Sequence, residues 1–357
     1  MSRARRLRHE GGKGCARNNG IRSNKDVSAM QALFHPISRR SFGALTGAAL
    51  APPALAQDPW PSRPISLVVT YAPGGSADVL ARLIAPGMGK ALGTTVVVEN
   101  RAGGGGIVGS DYVARAAPDG HVIQIGAVSS HAIAKQLFGA RLPYDPQRSF
   151  TPISMILSQP NVLLIGNHVP VRNTEEFVRW GKAQRAVLFG TAGVGSSNHL
   201  SGAMIGDAFG IRMEHVPYRS GGQALSDLMA GNVHGVVDNI VTAAPLAKDG
   251  RARAIGVTSG GRSDLLPDVP SFREAGAPDF DLVSWQALYG PAGIPAERTA
   301  RLNAALREAL ADSTVRARLT ESGAAVSPGS PEDLARFMEA EIPKWSRLVV
   351  LSGATPD

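Results

Sequence analysis

A short glycine-rich turn joins an apolar run to an amphipathic one at two places about 120 residues apart, Ala72-Pro73-Gly74-Gly75-Ser76 and Gly193-Val194-Gly195-Ser196-Ser197. Residues without a Cβ let another group approach the main chain, and a helix that follows adds a partial positive charge at its first turn. A chain carrying this device in duplicate reads as two α/β halves that each offer backbone N–H groups to an anion. A carboxylate held between two jaws is the first expectation.

The flanking sequence follows the same grammar. Residues 65–70 form an apolar strand, and Leu80, Leu83, Ile84 and Met88 then fall on one stripe of a helix over 77–92. A strand over 95–99, a short helix over 106–116 and a strand over 121–126, ending at Ala127-Val128-Ser129-Ser130, complete a βαβαβ unit of a parallel doubly wound sheet. The pattern restarts with a strand over 161–165. Asn173 or Thr174 caps a helix with Glu176 in its first turn. Strand 186–190, helix 198–209, strand 213–217, helix 223–230 and strand 234–238 follow, which makes a second sheet the economical reading. Ser330-Pro331-Glu332-Asp333 starts a C-terminal helix, and the C-terminal helices are expected to pack back on the first half.

The N-terminus points to export. Ser38-Arg39-Arg40-Ser41-Phe42 precedes a small-residue apolar run, and Ala54-Leu55-Ala56 has the form of a signal peptidase site, so the mature chain is expected to begin at Gln57. The paired arginines fit twin-arginine export, with general secretion as the alternative. Residues 1–56 then read as a basic, disordered leader plus signal peptide, and Met30 would itself begin a normal signal peptide. The whole chain carries a formal charge of +8, but the leader holds ten Lys and Arg against Glu10 and Asp26. What remains has 27 basic and 27 acidic residues, which removes the argument for nucleic acid. The sole cysteine, Cys15, lies in the leader, so disulfide and thiol chemistry are not expected of the mature chain.

Six ordered motifs carry a family resemblance. They are Tyr71-Ala72-Pro73-Gly74-Gly75-Ser76-Ala77-Asp78, Val97-Val98-Glu99-Asn100-Arg101-Ala102-Gly103-Gly104-Gly105, Ala116-Ala117-Pro118-Asp119-Gly120, Leu142-Pro143-Tyr144-Asp145-Pro146, His215-Val216-Pro217-Tyr218-Arg219 and Leu265-Leu266-Pro267-Asp268-Val269-Pro270. From Trp60 to Trp345 the chain resembles the Bug receptors, periplasmic substrate-binding proteins of tripartite tricarboxylate transporters. The resemblance implies a periplasmic-binding-protein type II fold: two doubly wound α/β domains, joined by two crossover segments near residues 158–160 and 284–290, with the ligand cleft between them. Domain 1 is then 57–157 with 285–357, and domain 2 is 158–284. It also implies a monomer that closes on a small carboxylate and works with transporter membrane subunits or a sensor protein, without nucleic acid, cofactor or metal.

Each candidate ligand residue has a structural reading beside the functional one. Tyr71, Ala72, Gly74, Gly75 and Ser76 surround the first turn at the carboxyl end of a strand, where open α/β sheets place ligands; a tight βα connection uses the same residues. Asp78 either braces that turn or meets a ligand amine or hydroxyl, and bracing is preferred because a carboxylate would repel it. Gly193, Gly195, Ser196 and Ser197 supply amides and hydroxyls on the opposite side. His199 touches the ligand or supports the turn; Ser129 and Ser130 close the first side or face solvent. Tyr218 and Asp238 end strands of the second half, where they reach the cleft or stabilise it.

Enzymatic readings fare badly: the chain has no Gly-x-Ser-x-Gly elbow, no His-Glu-x-x-His and no Walker lysine. Gly103 to Gly106 lack the dinucleotide pattern. No catalytic residue is expected. The competing possibility is a periplasmic serine hydrolase of small esters or amides, with Ser196 or Ser197 beside His199.

Overall fold

A computed structural model describes residues 60–218 and 220–356. The leader, the export signal and Arg219 lie outside the described residues. The first half contains β1 (Ile65–Val69), α1 (Ser76–Leu92), β2 (Val96–Asn100), α2 (Ile107–Ala114), β3 (Val122–Ala127) and α3 (Ala134–Phe138). A sixteen-residue strand, β4 (Phe150–Ile165), leads into α4 (Thr174–Ala183), β5 (Val187–Thr191), α5 (Ser197–Phe209), β6 (Met213–Pro217), α6 (Gly221–Ala230), β7 (Gly235–Asn239), α7 (Ile240–Lys248) and β8 (Arg253–Val257). The chain returns through β9 (Val283–Pro291) to α8 (Ala296–Ala311), α9 (Ser313–Glu321), β10 (Ala325–Val326) and α10 (Pro331–Ser352).

Local chemistry explains the boundaries. Gly75, extended, precedes α1, and Gly93 ends it in the left-handed region with its N–H on Gly89 O and Lys90 O. Asn173 caps α4 through its side chain, and Ser330 and Asp333 form a reciprocal capping box on α10. Leu80, Ile84 and Met88 of α1 are buried with Leu302 and Leu306 of α8 over β1 and β3. At about 1.5–3 kcal/mol for each buried aliphatic side chain, this layer holds the first turn of α1 in place.

Strand directions set the geometry of the cleft. β1 runs parallel to β2 and β3, and β5 runs parallel to β6 and β7. Between them, β4 pairs antiparallel with β9 over Phe150 to Pro160 and with β7 over Asn161 to Ile165. β3 is antiparallel to β9 as well. β3 therefore points the same way as β4, and β5 and β7 point back against it. The carboxyl ends of the two parallel sets face each other across the crossing strands. Ala127 at the end of β3 is level with Gln286, and through it with Leu157 of β4; Asn239 at the end of β7 is level with Asn161. Four residues of strand separate the two levels, about 13 Å at about 3.3 Å per residue.

Two sequence expectations need adjustment. The sheets are joined rather than separate, because β4 belongs to both; the order is β2-β1-β3-β9-β4-β7-β5-β6. The C-terminal helices do not all pack on the first half. α8 lies on α1, whereas α10 lies against β4, the 129–133 turn and also α5, so it touches both halves. Leu334, Met338, Trp345, Leu348 and Val349 of α10 accordingly share one buried cluster with Phe150 and Tyr289 on one side and Leu200 and Phe189 on the other.

Candidate functional site: a crevice between two helix-opening turns

On the first side of the crevice, Ala72, Gly74, Gly75 and Ser76 are exposed. Gly74 takes a φ of +83°, which is why the turn needs glycine there. Its N–H is not available to a ligand, because it donates to Asp78 Oδ2 at 2.9 Å. Asp78 also receives Arg82 Nε at 3.1 Å and Asn100 Nδ2 at 2.9 Å, and Asn100 holds Tyr71 O. Hydrogen bonding to Arg82, and then to Gly74 N–H, holds its carboxyl down at about 2. Asp78 is thus tied up within the turn as a brace. Among the described residues, the N–H groups of Gly75, Ser76 and Ala77 have no acceptor.

Tyr71 bonds through its hydroxyl to Ser129 Oγ and to Gly105 O. This brings in a loop the sequence reading set aside. Gly103, Gly104, Gly105 and Gly106 all have positive φ, and a Cβ on Gly106 would stand 3.0 Å from Thr70 Oγ1 and 3.4 Å from the Tyr71 hydroxyl. The four glycines let this loop lie against the end of β1 and the Ser129 turn, where it opens α2. Ser130 takes neither of its two expected places, closing the first side or facing solvent. It is fully buried, and its hydroxyl bonds to the N–H and O of Ala127 and to His131 Nδ1.

On the second side, Gly193 and Gly195 have φ of +112° and +69°. Ser196 caps α5: its Oγ donates to Gly193 O at 2.7 Å and accepts from His199 N–H. Gly195 N–H donates to His199 Nδ1 at 3.3 Å. His199 is therefore a support beneath the turn, stacked on His215 with ring centroids 3.8 Å apart. Burial pulls His199 down to about 4 and, with His199 nearby, His215 to about 3. Both rings are neutral. A serine–histidine nucleophile is absent from this arrangement, since the Ser196 proton goes to Gly193 O and His199 Nδ1 is occupied by a main-chain donor. Among the described residues, Ser197, the first residue of α5, and the N–H of Val194 have no hydrogen-bond partner in the turn.

Tyr218 is turned to the scaffold, its hydroxyl donating to Asp227 Oδ2 at 2.7 Å in α6. Asp238 is 5% exposed and sits where three helices begin: it accepts from Asn239 N–H, Thr242 Oγ1 and Asn198 Nδ2, and a Cβ on Gly221 would meet Oδ2 at 2.6 Å. Burial raises its carboxyl above the usual range. Asn161 joins this group from the crossing strand, bonding to Ser201 and Asn198.

The halves also touch directly. A Cβ on Gly195 would stand 2.2 Å from Leu137 Cδ2 of α3, so the second turn rests on the first half. Asn161 and Gln286 were missed in the sequence because nothing in their spacing marks them, and the crossing of β4 and β9 places them where the halves meet; Asn198 and Leu137 enter from α5 and α3. Two surface cavities lie elsewhere, one of about 400 Å³ that includes Leu265 to Val269 with Arg172 and Lys248, the other beside Arg82 and Lys90. Among the described residues no helix is long and apolar enough to cross a membrane.

Residues 80–353 match the family described as tripartite tricarboxylate transporter family receptor. Protein BugT of Bordetella pertussis is 31% identical over 308 residues, covering 86% of this chain and 94% of its own length. MatC from Rhodopseudomonas palustris, solved with bound malate, is 36% identical with a TM-score of 0.74 over 81% of this chain and 99% of that one. An R. palustris protein solved with adipate is 33% identical with a TM-score of 0.77, over 84% of this chain and all of the other. On this sequence and fold, the chain belongs to the tripartite tricarboxylate transporter receptors, the Bug-type solute-binding proteins, and is a receptor rather than an enzyme.

Proposed function

We propose that the protein captures a small carboxylate, delivered in the periplasm to the membrane subunits of a tripartite transporter or to a sensor. The observation that carries this reading is the pair of helix-opening turns, each with unused main-chain N–H groups, at the carboxyl ends of two parallel strand sets that face each other across β4 and β9. This arrangement suits an anion held by main-chain donors from both sides. The structures solved with malate and with adipate support the same ligand class.

In this reading the anion docks on the N–H groups of Gly75, Ser76 and Ala77. The half built around residues 158–284 then rotates onto it, adding Val194 N–H and Ser197, and expels water. With any four of these five donors engaged, charge-assisted hydrogen bonds at about 1.5–3 kcal/mol give about 6–12 kcal/mol gross, against about 8 kcal/mol for a micromolar complex. The export signal is read as the twin-arginine type and the receptor as a monomer. A thermal-shift screen over mono-, di- and tricarboxylates, amino acids and aromatic acids tests the proposal. A ligand at about 100 times its dissociation constant adds about 2.7 kcal/mol. A carboxylate should raise Tm and emerge chemically unchanged; no shift with any anion, or conversion of the ligand, counts against it.

A further inference from the structure

Gln286 lies on β9 where the halves meet, level with the end of β3 and with Leu157 of β4. It is 5% exposed, and its Nε2 donates to Ser76 Oγ at 3.2 Å. Its Oε1 is buried without a donor. Ser76 is the first residue of the seventeen-residue α1, and it is exposed.

A serine hydroxyl has one proton and two lone pairs. With a lone pair engaged by Gln286, the Ser76 proton is turned away from the amide, and among the described residues it meets no acceptor. The opposite orientation of the amide would draw that proton inward and leave both amide hydrogens unpaired, in place of one amide hydrogen and the carbonyl oxygen. Buried N–H groups without acceptors are rarer than under-used carbonyls, so the observed orientation is the better one.

We infer that Gln286 is a positioning residue for the anion: it fixes the Ser76 hydroxyl as a donor toward a carboxylate seated on the first turn of α1. The inference rests on the carboxylate reading above. An accepted hydrogen bond polarises the O–H and strengthens the bond it gives. Gln286 also sits on a strand that crosses between the halves, so the same contact ties the ligand turn to the hinge.

Isothermal titration with malate and with adipate, on wild type, Ser76→Ala, Gln286→Met and the double variant, tests it. Met keeps the length and burial of the side chain while removing both polar atoms, so the Tm of unliganded Gln286→Met should not fall. Each single change should weaken binding about tenfold or more, and the double variant should bind no more weakly than Ser76→Ala alone. Gln286→Met binding as tightly as wild type, or more tightly, overturns the inference; so does a double variant in which the two losses multiply. Should Gln286→Met fail to fold, Gln286→Glu serves instead. Its carboxylate would accept the Ser76 proton, and undiminished affinity would be contrary. Wild-type protein that binds neither probe overturns the receptor reading, whereas intact wild-type binding with an inert Gln286 removes only this step.

Discussion

Asp78 shows how a carboxylate can stand beside an anion site without repelling the anion. Arg82 reaches both of its oxygens, at 3.0 and 3.1 Å, so much of its charge is matched locally, and Gly74 N–H and Asn100 complete its shell. Two effects compete in Asp78→Asn: loss of a negative charge near the ligand, which favours binding, and loss of the brace, which loosens the turn. Because Arg82 already offsets the charge, the brace dominates, and titration with the bound carboxylate should show weaker affinity. Asp238 has the opposite balance, a buried acid whose contacts carry no positive charge and whose carboxyl is raised by burial. Asp238→Asn keeps its shape and removes the buried charge, so Tm should rise at pH 7; a fall would show that the ionised form is the stabilising one.

The elements built on local signals were legible in the sequence. α1, α5 and β6 lie within a residue of expectation because glycine turns, caps and apolar periodicity all act over a few neighbours. β4 was recognised only over its last five residues. Pro152 and Pro160 interrupt its pattern, as proline does in central strands, and the structure accommodates Pro152 with a register shift. The site followed the same division: the exposed turn at Ala72 to Ser76 was readable, whereas the inward orientation of Ser130, His199 and Tyr218 depends on neighbours from other elements. The His199–His215 stack under the second turn has a measurable consequence. Both rings have folded pKa values below the ordinary 6.5, so the unfolded chain binds more protons, and the stability they contribute is complete above about pH 6.5 and falls as pH drops toward about 4 and 3. His131, held at about 3 by burial, adds to the same trend. Tm measured from pH 7 to 4 should decline, and His215→Gln should make the decline shallower.

At the scale of the molecule, the halves are linked by two crossing strands and by α10. Glu341 of α10 accepts from the indole N–H of Trp285 on β9, at 2.9 Å, and of Trp345, at 2.7 Å. Glu341→Ala leaves two buried donors unpaired, so urea unfolding should show a loss of about 2–6 kcal/mol. Neither this clasp nor the contact of α10 with α5 was readable in advance, since a helix pattern names a buried face but not the element that covers it. The central claim is that main-chain N–H groups of the first turn grip the anion. Gly75 offers a clean test, because its φ of −78° admits any residue and its Cβ would meet nothing closer than Ala72 O at 3.6 Å. Isothermal titration of Gly75→Leu should show no binding of the carboxylate with an unchanged Tm, while Arg262→Ala, on the surface and paired with Glu274, binds as wild type. Equal affinity in Gly75→Leu and wild type would contradict the account.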